Sequence, residues 1–171
     1  MTDRLHSDGA LVQLSERLTN SAAFGSLFRE GMDLVEETAA YLDGVGRSEA
    51  KALDRAVSLT YATESMRLTT RLMQLASWLL LHRAVKEGEM TLTQANREKT
   101  KVRLSAADPG PSDMIEKLPL QLQELIARSM TLQSRVRRLD TSIHSPPLER
   151  NAAIGNPLVP QLNRLKAAFE R

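Results

Sequence analysis

The chain contains no cysteine, which excludes disulfide bridges, thiol nucleophiles and thiolate metal sites together. Aromatic residues are scarce, at 4%. With a hydrophobic fraction of 42%, a core must then be assembled from leucine, methionine, valine and alanine. That palette suits helix-on-helix packing better than a sheet, where β-branched and aromatic residues gather. No uninterrupted apolar run exceeds four residues, as at Trp78–Leu81, far short of the roughly 20 that cross a bilayer as a helix. No apolar stretch follows the first residues, so a secretory signal is not expected and the expected location is the cytoplasm. A strong excess of one charge is missing too. The net charge of +2 with a pI near 9.1 permits an acidic partner without announcing a nucleic-acid binder.

What is present is helical punctuation along a chain of 171 residues, one domain's worth. In residues 1–20, Leu11, Leu14 and Leu18 suggest a marginal amphipathic helix. From Ser21, a plausible N-cap, Phe24, Leu27, Phe28, Leu34, Val35, Thr38, Tyr41 and Leu42 form one apolar face. Gly44 and Gly46 then end and loosen the segment, so the pattern predicts a helix over about 22–43. Ser48 as cap and Glu49 in the first turn open a proline-less stretch to Glu87, predicting a second helix over about 48–87. Leu68, Leu72, Leu75 and Leu79 make one stripe on it; Met66, Met73 and Leu80 make a neighbouring one. Residues 88–112, polar and broken by Pro109, Gly110 and Pro111, read as a long loop with at most a short turn. Asp113 with Glu116 resembles a capping box for a third helix over about 113–144. Its seam runs Ile115, Leu118, Leu122, Leu125, Ser129, Leu132, Val136, Leu139 and Ile143, alternating three and four. Pro119 should kink or delay its start. Residues 146–171 read as a Pro-containing tether ending in a short stripe of Leu158, Leu162, Leu165 and Phe169.

The expected fold is therefore all-α: an elongated three-helix bundle with a long loop before the third helix and a C-terminal tail. A first helix of about 33 Å beside a second of about 60 Å leaves length to be covered. A second subunit would do this, giving a homodimer; so would residues 5–20 folded back over the open end.

No catalytic, cofactor-binding or metal-binding residue is expected. Glu30, Asp33 and Glu37, with Glu36 beside them, line one side of the first helix. A di-iron site would also need Glu-x-x-His pairs from other helices, and the sequence has none. The acidic row is then a solvated face or a partner-docking one. His6, His82 and His144 have no ligand at metal spacing, and no nucleophile elbow, phosphate loop or dinucleotide fingerprint occurs. Arg128, Arg135 and Arg138 share a face of the third helix, and Arg97, Lys99, Lys101 and Arg103 precede it. This basic stripe could meet DNA phosphates, or pair with the acidic first helix or an acidic partner; few aromatics are present to stack bases. Met66, Met73, Trp78 and Met90 read as core filler, or as a binding groove if left open. The terminal stripe, with Arg164, Lys166 and Arg171, is either a docking peptide that folds on a partner or a fourth helix on its own bundle.

Two stretches carry a family resemblance. LTYATESMRLTTRLMQLASWLL (Leu59 to Leu80) with Gly88-Glu89-Met90, and FREGMDLVEETAAYLDG (Phe28 to Gly44), resemble the alphaproteobacterial regulator of CtrA degradation (RcdA) family over most of 22–104. The resemblance implies a dimerising three-helix bundle that serves as an adaptor of the ClpXP protease in cell-cycle control. It implies docking on a protease primed by the response regulator CpdR. It further implies delivery of substrates of the TacA type, or recruitment of the further adaptor PopA, which presents CtrA. It assigns no role to an individual residue; the acidic, basic and tail residues above remain candidates from their chemistry alone.

Overall fold

The computed structural model describes residues 22–99 and 112–144. They form six helices and no strand among the described residues: α1 Ala22–Asp43, α2 Val45–Ala52, α3 Arg55–Lys86, α4 Leu92–Lys99, α5 Ser112–Ile115 and α6 Leu120–His144. The long helices α1, α3 and α6 pack together as the bundle, with α3 in contact with both others. No described helix is long and apolar enough to cross a membrane.

The apolar face predicted for α1 is the one it buries, through Phe24, Leu27, Leu34, Thr38 and Tyr41. The alternating seam of α6 also reaches the core. Leu122, Leu125, Ser129, Leu132 and Val136 are fully buried, and Leu118 and Ile143 nearly so. Leu68, Leu72, Leu75 and Leu79 of α3 fill the space between them.

The helix expected over 48–87 is in fact two. The chain re-enters helix at Val45, directly after Gly44, so Ser48 and Glu49 lie inside α2 and neither caps a helix start. Leu53 and Asp54 are extended, and the Asp54 carboxylate accepts the Val57 N–H at 3.0 Å as the true cap of α3. Glu49 instead accepts a 2.6 Å hydrogen bond from the Tyr41 hydroxyl, tying α2 back to α1; burial, then this acidic acceptor, pushes the Tyr41 pKa up.

With 32 residues, α3 is about 48 Å long against about 33 Å for α1, a smaller mismatch than a single helix over 48–87 would leave. Gly88, at φ +76°, ends the turn after α3 in the left-handed region open to glycine. The expected loop of 88–112 contains α4. Its start is a reciprocal capping box in which the Thr91 N–H donates to Gln94 Oε1 at 2.9 Å and the Gln94 N–H to Thr91 Oγ1 at 3.2 Å. The third helix begins late. The short α5 carries Asp113, and α6 starts only after Pro119, whose carbonyl accepts the Gln123 N–H.

Helix α4 is fastened to both long partners. Ala95 is buried, and Lys99 Nζ lies 2.6 Å from the Asp140 carboxylate on α6. The same carboxylate accepts the Trp78 indole N–H from α3 at 2.8 Å. Trp78 is the chain's single tryptophan, and it stacks on His82 with ring centroids 4.1 Å apart.

One close approach marks the α1–α3 contact. A Cβ at Gly31 would lie 2.5 Å from Leu79 Cδ1, so a larger residue there forces the buried Leu79 side chain to move. Gly31→Val should destabilise the protein by about 1–3 kcal/mol through overpacking. Gly25→Ala, with no atom within 4 Å of the new Cβ, should stabilise it by about 0.4–1 kcal/mol. Chemical denaturation of the two variants checks both signs. Asp140→Ala should cost about 1–3 kcal/mol by stranding the buried indole donor; an unaltered midpoint and unaltered tryptophan emission would contradict the latch.

Candidate functional site

The acidic and basic rows face each other across the α1–α6 seam. Arg128 donates to both Glu37 carboxylate oxygens, at 2.9 and 2.7 Å. Two helical turns away, Arg135 pairs with Glu30. Moving from 37 to 30 on α1 matches moving from 128 to 135 on α6, so the two helices are antiparallel. Four of the seven charged candidates on these helices are thus consumed by internal pairing. Asp33, Glu36 and Arg138 stand exposed, while Leu158, Leu162, Leu165 and Phe169 lie outside the described residues, as do Lys101 and Arg103. The pairing matches Arg128 and Arg135 with carboxylates of α1 while leaving both partly exposed at the seam.

These two bridges are 41–44% exposed, so each contributes little, about 0–1 kcal/mol.

A buried polar cluster lies on the opposite side of α6, and the sequence reading missed it. Arg71 of α3 is 3% exposed and donates to Ser129 Oγ at 2.8 Å; Ser129 donates on to the Ile126 carbonyl. Glu64 is 2% exposed and pairs with Arg67 at 2.6 Å. Burial lowers the Arg71 pKa, and nearby Glu64 opposes that shift. The one signal available was Ser129 in an otherwise aliphatic seam: a hydroxyl in a leucine layer needs a polar neighbour. Through the Arg71–Ser129 bond the cluster joins α3 to α6 internally. Among the described residues no group of three or more His, Asp or Glu is placed to hold a metal ion.

The apolar surface is the second candidate. Of the residues read as core filler, or as a groove if left open, Trp78 is buried at 1% exposure while Met66 and Met73 point outward at 72% and 66%; Leu80 and Leu59 are likewise 52% and 70% exposed. These four outward residues recur every seven residues on α3, nearly two turns, and so lie along one side. The reason is angular. The stripe at Leu68, Leu72, Leu75 and Leu79 already fills the space facing α1 and α6, and the neighbouring stripe is rotated past it. Beside this row, an apolar groove of about 350 Å³ opens between α1 and α3, walled by Val35, Ala39, Leu42, Leu72, Met73 and Ala76. Thr38, Asp43 and Thr69 supply its polar edges.

The charged seam predicts a small, salt-sensitive coupling. A double-mutant cycle on Glu37→Ala and Arg128→Ala should give a coupling of about 1 kcal/mol or less, declining further in 1 M salt. A coupling of several kcal/mol would mean the pair is desolvated in solution.

No curated protein matches the chain. Residues 15–169 match the family model described as "Protein of unknown function (DUF1465)". Among solved structures, RcdA from Caulobacter crescentus CB15 is 50% identical, with a TM-score of 0.62, over 75% of this chain and 96% of that one. The bundle of α1, α3 and α6, and the sequence stretches that build it, therefore have a common origin with that protein: the chain belongs to the DUF1465 family, which is the RcdA family.

Proposed function

We propose that the protein is a non-enzymatic adaptor that docks on ClpXP primed by CpdR and delivers cell-cycle regulators for degradation. The observation that carries this reading is the 50% identity to RcdA over nearly the whole of that chain, together with the adaptor role that the family resemblance implies. Such a role needs surfaces of distinct chemistry, since an adaptor acts by raising the local concentration of one partner near another. The exposed part of the acidic row, Asp33 and Glu36, and the apolar row on α3 support it. Partners would be the CpdR-bound protease on one side and substrates of the TacA type, or a PopA-like adaptor presenting CtrA, on the other. The protein would work in the cytoplasm, where these partners act, as a homodimer. A DNA-associated role is not favoured, because Arg128 and Arg135 are occupied by Glu37 and Glu30.

The test is reconstituted degradation of a TacA-type substrate by ClpXP, with CpdR and this protein each present or absent. Acceleration only when both are present is expected; none, with the protein folded, would defeat the adaptor reading. Asp33→Lys with Glu36→Lys should weaken docking of a partner on the acidic face by about tenfold, or ~1.4 kcal/mol, with the melting temperature unchanged. Reversing Glu37 would not test the same face cleanly, since it also breaks the bridge to Arg128.

A further inference from the structure

The groove between α1 and α3 and the row Leu59, Met66, Met73 and Leu80 are apolar surfaces that the described residues leave open to solvent. Their chemistry specifies an occupant. It should be an amphipathic helix with short aliphatic and aromatic anchors at three- and four-residue spacing. It should also carry positive charge, because Asp43 lines the groove and Glu36 stands exposed on the same helix. Asp33 is exposed on α1 as well, whereas Glu30 and Glu37 are paired with α6 and Asp43 lies 3.7 Å from Arg47 in a largely exposed pair.

The chain itself contains such a segment. Leu158, Leu162, Leu165 and Phe169 are spaced four, three and four apart, and Arg164, Lys166 and Arg171 accompany them against a single acid, Glu170. The connection is long enough. With α1 antiparallel to α6 and Glu37 opposite Arg128, the level of Ala39 lies about 27 Å back along α6 from His144 at 1.5 Å per residue. The intervening residues 145–157 can span up to about 43 Å when extended, which covers that distance and the width of the bundle.

The N-terminal stripe fits worse. Leu18 is separated from Ala22 by three residues, so a helix over 11–18 folded back on α1 covers only about 12 Å, ending short of the point about 20 Å along α1. The groove begins there, at Val35, and continues toward the far end of α1.

We propose that the terminal stripe of residues 158–169 docks in the α1–α3 groove of the same chain, extended at Leu158 and helical only after Pro160. Leu158, Leu162, Leu165 and Phe169 pack on Leu72 and Met73, and the basic residues lie toward Glu36 and Asp43. The segment and the groove share one chain, so their effective concentration is of millimolar order and a modest intrinsic affinity suffices. A partner that uses the groove must displace the tail. This holds whether or not the protein serves a protease.

The absence of cysteine makes a direct test in the full chain possible. One double variant carries Ala39→Cys, on the exposed groove wall, with Ala168→Cys beside the terminal stripe. A second carries Ser134→Cys, exposed on α6, with the same Ala168→Cys. Position 134 is only about 15 Å from the end of α6, so an undocked tail would reach it at least as readily as the groove. With a short bis-maleimide, the 39/168 pair should cross-link within one chain about tenfold faster than the 134/168 pair. Adding Met73→Glu, at a position exposed enough to leave the melting temperature unchanged, should abolish the difference. Equal rates for the two pairs would overturn the proposal. So would a 39/168 product at the mass of two chains, which would assign the groove to a second copy.

Discussion

The structure turns on how closely α1 can lie against α3. At Gly31 the missing side chain admits Leu79 Cδ1 to a position a Cβ would forbid, with Leu132 of α6 alongside. Three helices thus meet at one layer, and the aliphatic layers on either side follow its spacing. Close-packed interiors tolerate little slack, so a side chain added at Gly31 would disturb this layer. Glu30, the residue before Gly31, is held toward Arg135, and Glu37 two turns on is held toward Arg128.

The surfaces follow from the same geometry. Because α3 is shared by both other long helices, its leucine stripe is used up in filling the centre, and the stripe rotated past it has nothing to cover it among the described residues. Charge and apolarity are distributed unequally as a result. Opposite charges meet across the α1–α6 seam, where they pair at small energetic gain. The uncovered apolar area collects on the α1–α3 side, where burial by another helix would be worth far more per residue. An apolar surface of this kind suits reversible docking of a helix.

Polar groups inside the bundle act as positional markers. The Arg71–Ser129 bond and the Trp78–Asp140 bond join α3 to α6 nearly two turns apart along α3. Each would leave a buried donor stranded if α6 shifted by one turn. Lys99 extends the second of these to α4, so a short helix that would be marginal alone is held by a charged contact as well as by Ala95.

The sequence by itself determined the all-α class, the face that α1 buries and the unbroken seam of α6, because each is a local periodicity of one helix. Pro119 likewise marked the delayed start of α6. The same periodicity did not show the break at Leu53–Asp54, since no glycine or proline announces it and Asp54 is a cap only once the chain turns there. The capping box of Thr91 and Gln94 was legible in principle but was hidden by the polarity of the segment. Tertiary structure alone decided which stripe of α3 is core and which is exposed, because apolar residues on adjacent sides of a helix are indistinguishable until its neighbours are placed. It also decided that Glu37 and Glu30 face Arg128 and Arg135: like charges along one helix carry no information about the helix that will lie opposite.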